Sequence, residues 1–269
     1  MQTHTLFFSP TKTGATVAQA VQNGLQGLPG ESPIGESIDI TKAAVHKTFD
    51  EDDTVIVVMP VYSGRLPKIA VERFKAVNGN GAKGVAIAIY GNANAGDALL
   101  ELTDICKEQG FEVIAAANFI GEHSFTMKQF PLAAGRPDTA DLQKAEKFAE
   151  LIREVLNGTG PLTLPKVPGS HPYSKDPMNL PGVAATGTNL DDCTICGLCE
   201  TVCPTSAITM TENGPQTDGK KCSWCSACVK VCKSNARLFT SPKVKETAER
   251  LFTNFQERQE PKWFLPARK

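Results

Sequence analysis

The chain has 269 residues, 41% hydrophobic and 21% charged, with 28 Lys and Arg against 29 Asp and Glu for a formal net charge of −1. This length exceeds the roughly 100–200 residues of one domain and predicts two, while the composition excludes disorder, collagen and coiled coil. The balanced charge gives no general field for gathering phosphates, so no nucleic-acid partner is expected. Residues 1–10 lack a basic flank followed by an apolar stretch, and the longest apolar run, near 55–61, is far short of a membrane helix. No membrane span and a cytoplasmic location are therefore expected.

In chain order, strands are predicted at Thr5–Phe8, Ser37–Ile40, Thr54–Met59, Gly84–Tyr90 and Glu112–Phe119, with helices at Ala15–Gln26, Lys68–Val77, Asp97–Gln109 and Thr139–Leu156. Several strands are near-continuous apolar runs, the mark of burial on both faces in a parallel sheet. The alternation predicts a doubly wound α/β domain over residues 1–157. Cys106 falls on the same helix stripe as Leu99 and Leu102 and reads as core.

The first strand runs into Ser9-Pro10-Thr11-Lys12-Thr13-Gly14-Ala15-Thr16 and then a helix. Hydroxyls and free amides at a helix N-terminus form a phosphate site without a cluster of cations. Neither Walker nor Rossmann glycine spacing is present there. Gly79 to Gly84 matches G-x-G-x-x-G but follows a helix and precedes a strand, the reverse of a dinucleotide site, and reads as a turn.

Residues 158–185 form a linker whose Pro161, Pro165, Pro168, Pro172, Pro177 and Pro181 are a third of the 18 prolines. Such a linker holds two modules apart or folds back along the surface. Eight of the nine cysteines then fall between Cys193 and Cys232. Cys193, Cys196, Cys199 and Cys203, followed by Pro204, give C-x2-C-x2-C-x3-C-P, and Cys222, Cys225, Cys228 and Cys232 repeat the spacing 29 residues later. Three thiolates in so tight a loop grip one face of an iron–sulfur cube and leave one iron for a fourth. Structural zinc calls for paired C-x2-C motifs about 15–20 residues apart, which two triple-cysteine loops do not match. Helices are expected to start near Thr205 and Ser234. Residues 241–269 form a helix and basic tail: Ser241 and Pro242 open a stripe of Val244, Ala248, Leu251, Phe252 and Phe255, and seven Lys/Arg against four Glu give +3. This helix covers its own protein or docks a partner.

Residues 191–239 resemble the bacterial two-cluster ferredoxins, a small α+β domain here assigned to 186–240. In that family the fourth thiolate of each cluster comes from the other repeat. The resemblance thus implies two [4Fe-4S] clusters, I on Cys193, Cys196, Cys199 and Cys232, and II on Cys203, Cys222, Cys225 and Cys228. The sequence departs from the family at Lys233, usually proline, and at Trp224 inside the second loop.

Thr11-x-Thr13-Gly14-x-Thr16 resembles the phosphate loop of flavodoxins, and the likeness extends over roughly the first 150 residues. It implies a flavodoxin-like, five-stranded parallel sheet of order 2-1-3-4-5 with FMN at the switch point. FMN contacts then fall on Ser9, Thr11, Lys12, Thr13, Gly14, Ala15 and Thr16. The loops after strands 3 and 4 add Pro60, Val61, Tyr62, Ser63 and Gly64, then Tyr90, Gly91 and Asn92, with Tyr62 or Tyr90 stacking on the ring. Lys12, in place of a neutral residue, pairs with the phosphate or is simply solvated. After strand 5, His123 reaches the flavin as the one candidate catalytic group or is incidental.

The whole chain resembles flavodoxin–ferredoxin fusion proteins of bacteria and archaea. The implied function is anaerobic electron transfer between a redox protein partner, two clusters and FMN. The alternatives are an FMN-dependent reductase of a small substrate such as a quinone or nicotinamide, and a redox sensor whose clusters switch a partner contact.

Overall fold

The protein's computed structural model describes residues 2–26, 33–174 and 185–267. Runs of Val, Ile, Leu and Ala that bury both faces, such as Val55 to Met59 and Val85 to Ala88, make the centre of a sheet that must be covered on two sides. The elements supply that cover: β1 (Thr3–Phe7), α1 (Thr13–Gly24), β2 (Ile34–Asp39), β3 (Thr54–Pro60), α2 (Lys68–Phe74), β4 (Lys83–Tyr90), α3 (Ala98–Glu108), β5 (Glu112–Ile120) and α4 (Thr139–Asn157). Val17, Val21, Phe148 and Ile152 of α1 and α4 pack one face with Ile56, Val58 and Ile87. Phe74, Leu99 and Leu102 of α2 and α3 pack the other with Leu6, Val57 and Met59. Cys106 joins that second core, where burial pushes its thiol well up.

The cysteine-rich unit contains β6 (Thr186–Thr188), α5 (Leu198–Val202), β7 (Ile208–Thr211), β8 (Gly214–Thr217), α6 (Ala227–Val231) and β9 (Arg237–Phe239), with α7 (Pro242–Asn254) and β10 (Lys262–Phe264) after it. The large sheet runs β2-β1-β3-β4-β5-β10, parallel except for β10, which pairs antiparallel with β5. This is the expected 2-1-3-4-5 flavodoxin-like order with a sixth strand that the sequence reading missed. In the small unit β7 pairs with β8 and β6 with β9, both antiparallel.

Three expectations change. Helices expected at Thr205 and Ser234 are turns, because Ser206 and Asn235 take positive φ of 50 and 57; the helices α5 and α6 lie earlier, each starting one residue before the third cysteine of its run and ending one before the fourth. Helix α2 stops at Phe74, and Val77 instead pairs with Lys47 in a two-residue parallel bridge. Ser241 precedes α7 at its N-cap but makes no side-chain cap bond.

The first part of the linker folds back along α3. Asp97 accepts from the amides of Ser170 (3.1 Å) and Ser174 (2.6 Å), and the Arg65 guanidinium lies 4.3 Å from the Tyr173 ring centroid. Pro177 and Pro181 fall outside the described residues. The C-terminal helix covers its own protein: Val244 and Ala248 are buried, and beyond it Trp263 stacks on Phe148 with ring centroids 6.1 Å apart. Arg258 pairs with Asp138 (2.7 Å) and Asp141 (3.1 Å), so the charge of this tail residue is spent within the chain. Among the described residues no helix is long and apolar enough to cross a membrane.

Phe148 is fully buried between Phe119 and Trp263. Phe148→Ala should cost roughly 3–5 kcal/mol, read as a fall in the urea midpoint of the far-ultraviolet signal.

Candidate functional site

The loops after β1, β3, β4 and β5 meet at one end of the sheet, where parallel strands deliver their C-terminal ends. After β1, the Ser9 amide donates to Thr41 Oγ1 (2.7 Å) and its hydroxyl accepts from the Ala15 amide (3.1 Å), so Ser9 braces the loop from inside. Lys12 turns the chain at a φ of 66 into α1, whose first amides have no partner within the helix. Thr11 and Thr13 share a hydroxyl contact of 3.1 Å.

After β3, residues Tyr62 to Arg65 close a tight turn through reciprocal backbone bonds of 2.8 and 3.1 Å. The buried Arg65–Glu101 pair (2.8 and 2.9 Å), whose carboxylate also accepts from the Leu66 amide, fixes that turn. After β4, Gly91 is required by close approach: a Cβ there would stand 2.4 Å from His123 Cδ2. Gly121 is required likewise, with Thr13 Cγ2 at 2.4 Å from such a Cβ. The loops after β1, β4 and β5 are thereby interlocked.

These loops enclose a cavity. Ser9, Thr11, Thr13, Gly14, Pro60, Val61, Tyr62, Tyr90, Gly91 and His123 of the expected set line it, with Glu122 and Ser124 added. Ser63 and Gly64 line a neighbouring cavity that shares Val61, Tyr62, Gly91 and His123 with the first. Lys12, Ala15 and Thr16 stand outside both: the Lys12 ammonium pairs with Asp39 (3.3 Å), and the Thr16 hydroxyl donates to the Lys12 carbonyl (3.1 Å). Asn92 is also outside. It is buried and clamps the tail, donating to the carbonyls of Phe255 (2.8 Å) and Glu257 (2.9 Å) and accepting from the Gln259 amide (3.0 Å).

Burial raises the phenols of Tyr62 and Tyr90, Tyr62 more strongly, with Cys225 and Cys222 adding to it. Burial also lowers His123 to about 4. His123 Nδ1 accepts from the Phe125 amide (3.0 Å), which leaves the proton of the neutral ring on Nε2. At neutral pH His123 is therefore a hydrogen-bond donor at Nε2.

In the cysteine-rich unit, positive φ recurs at Ile195 and Trp224, at Gly197 and Ser226, and at Ser206 and Asn235, each pair 29 residues apart. The two runs thus fold the same way, each loop turning its amides inward as an anion nest. One cavity is lined by Cys193, Cys196, Cys199 and Cys232, and a second by Cys203, Cys222, Cys225 and Cys228. Each draws three cysteines from one run and the fourth from the other. Among the described residues no three His, Cys, Asp or Glu close on a single-ion position, and a cubane, which gives each cysteine its own iron, does not require it.

Burial raises Cys199 and Cys222 and pushes Cys225 up to about 12, so anionic sulfur there needs a counter-charge. At Cys232 burial also acts upward, but the Ser234 hydroxyl and the amides of Arg237, Ala236 and Ser234 outweigh it and lower the thiol. Cys203 Sγ accepts from the Ala207 amide (3.2 Å). Arg237, a buried cation, lines the first cavity and reaches Cys228 of the second at 3.8 Å. Paired four-thiol cavities with inward amides and a buried cation fit iron–sulfur clusters.

The two units meet at the second cavity. Lys42 donates to the Cys203 carbonyl (2.5 Å), Arg73 to the Pro204 carbonyl (2.7 Å), and Lys230 pairs with Glu122. Cys225 itself stands in the wall of the cavity over the β1 loop. The first cavity faces outward, with Cys196 exposed and Ile195 57% exposed. The sequence had no means of finding this junction, because its contacts join residues more than a hundred positions apart.

The profile of the 4Fe-4S binding domain family matches residues 188–209, which hold the first cysteine run. No curated protein matches in sequence. Among solved structures, a flavodoxin from the domain Archaea aligns at 16% identity over 58% of this chain and 100% of its own, with a TM-score of 0.41. Oxidised flavodoxin 1 from Bacillus cereus aligns at 16% over 57% and 98%, TM-score 0.42, and the apo NADH:FMN oxidoreductase EMOB at 13% over 57% and 88%, TM-score 0.40. The fold is set by the strand order itself. Fold and motif define a flavodoxin-like α/β domain followed by a cysteine-rich domain of the 4Fe-4S binding class.

The unfolded chain binds a proton at His123 near pH 6.5, whereas the folded chain refuses it until about 4. Stability should therefore fall as pH drops through that window, since the unfolded state binds more protons there. His123→Gln should flatten the slope of urea midpoint against pH between 6.5 and 4.

Proposed function

We propose that the protein is an electron carrier that binds FMN in its α/β domain and two 4Fe-4S clusters in its cysteine-rich domain, and exchanges electrons with a redox protein partner. When bound, FMN takes up two electrons one at a time and each cluster passes one, so the chain joins one-electron to two-electron chemistry. Cys193, Cys196, Cys199 and Cys232 hold cluster I; Cys203, Cys222, Cys225 and Cys228 hold cluster II. Thr11, Thr13 and Gly14 hold the FMN phosphate at the start of α1. Tyr62 and Gly91 flank the ring, and His123 offers Nε2–H to it as a neutral donor. Tyr90 lines the cavity over the β1 loop and not its neighbour.

One observation carries the reading: Cys225, a thiol of the second four-cysteine cavity, is also part of the wall of the cavity over the β1 loop. Electron transfer falls steeply with distance, so a shared wall makes cluster II the inner relay. The exposed loop at Cys196 makes cluster I the port to the partner.

Iron analysis should find about eight irons per chain for two cubanes. Cys203→Ser should halve that number and spare cluster I; loss of cluster I instead would refute the crossed ligand set. Acid should release the flavin as FMN, and Thr13→Val should weaken its binding, with FAD or unchanged affinity counting against the site. After photoreduction of the clusters, flavin absorbance should bleach at a rate independent of protein concentration. A rate proportional to concentration would end the intramolecular relay, and steady oxidation of NADH by the protein alone would mark a reductase.

A further inference from the structure

A second cavity, of about 310 Å³, opens beside the one over the β1 loop and shares Val61, Tyr62, Gly91 and His123 with it. Its far side comes from outside the α/β domain: Trp224 from the second cysteine loop, and Thr247, Leu251 and Phe255 from α7 and its end. Volumes of roughly 300–1,000 Å³ are those of small-molecule sites.

Trp224 is the feature that points to a ligand. It is 7% exposed, it sits at a positive φ of 59 between Cys222 and Cys225, and Val244, Phe125, Met127 and Phe239 pack around it. Its indole Nε1 is buried without a hydrogen-bond partner. Buried donors are almost always paired, and Trp224 borders both this cavity and the second four-cysteine cavity, so its unpaired N–H calls for an acceptor on a group bound in one of the two. The ligand must be flat enough to lie among Tyr62, Trp224 and Phe255, continuous with a phosphate held at the β1 loop, and equipped with an in-plane acceptor. A flavin ring with its carbonyl oxygens and ring nitrogens meets all three conditions.

We propose that the flavin site is completed by the cysteine-rich domain and the tail, with Trp224 Nε1 donating a hydrogen bond to the flavin ring and Phe255 closing the pocket. The inference rests on the FMN reading above and adds a second function for Trp224: the loop that holds cluster II also holds the flavin. Flavin affinity is then a property of both domains together, and the ring lies against the loop that bears Cys222 and Cys225.

The test uses the full chain loaded with iron. Trp224→Phe keeps an aromatic ring and removes only the donor, and Phe255→Ala opens the pocket from α7, away from the cysteine loops. Trp224→Phe should weaken FMN binding about tenfold, the worth of roughly one hydrogen bond, and Phe255→Ala should weaken it through lost packing, both measured by quenching of FMN fluorescence with iron content unchanged. In Trp224→Phe a flavin carbonyl stretch should also move to higher frequency in the infrared, a shift that a packing role would not produce. FMN affinity and carbonyl frequencies equal to the parent's in Trp224→Phe, while Thr13→Val loses FMN, would overturn this proposal and leave the FMN reading standing. A fully iron-loaded parent that binds no FMN would overturn both.

Discussion

Lys42 and Arg73 of the α/β domain each end on a main-chain carbonyl of the Cys203–Pro204 turn, and much of the molecule's organisation depends on that seating. A carbonyl is a fixed acceptor with no rotamer of its own, so two cations on adjacent carbonyls hold the turn in both position and orientation. Cys203 is the residue that the first cysteine run lends to the second cavity. Anchoring it sets that cavity against the loops at the C-terminal ends of β1, β3 and β5 and turns the other outward. The internal near-symmetry of the cysteine-rich domain, visible in positive-φ positions repeated at 29 residues, is broken by this contact.

The tail reinforces the same arrangement from the opposite side. Asn92, in the turn after β4, takes hold of the backbone at Phe255, Glu257 and Gln259, and Arg136 donates to the Gln259 carbonyl (2.8 Å) while pairing with Asp141. Chain that leaves the cysteine-rich domain through α7 is thus bound to the loops of the α/β domain before it reaches the sheet edge as β10. Buried polar contacts of this kind are costly if half made, and here the side chains of Asn92 and Arg136 each find several partners. Pairing with β10 also covers part of the long edge of β5 and leaves a strand of three residues at the end of the sheet.

Charge is distributed to suit sulfur-rich cavities. Burial acts against anionic sulfur at Cys199, Cys222 and Cys225, while Arg237, held by Thr186 Oγ1 (2.5 Å), Thr188 Oγ1 (2.6 Å) and Thr217 Oγ1 (2.7 Å), places a cation between the two cavities. Its partners there include hydroxyls and the Cys228 sulfur, so its field falls on the thiols. Lys233 and Trp224, the two departures from the ferredoxin pattern, have different fates: Lys233 is exposed, and Trp224 is buried at the domain junction.

Local pattern alone determined the strands, their parallel arrangement, the helices of the α/β domain and the grouping of eight cysteines into two repeats, because apolar periodicity and ligand spacing are properties of neighbours in sequence. It also marked Thr11, Thr13, Tyr62 and His123 for one site, since loops at the same ends of parallel strands converge. The side chains of Lys12, Thr16 and Asn92, named for the same site, answer instead to Asp39, to the Lys12 carbonyl and to the tail. The turns at Ser206 and Asn235, the pairing of β10 with β5, the place of Trp224 and the choice of which cysteine cavity faces inward were decided by tertiary structure alone. Each depends on contacts between segments far apart in the chain, such as Lys42 with Cys203, and no local spacing encodes which distant carbonyl a side chain will find.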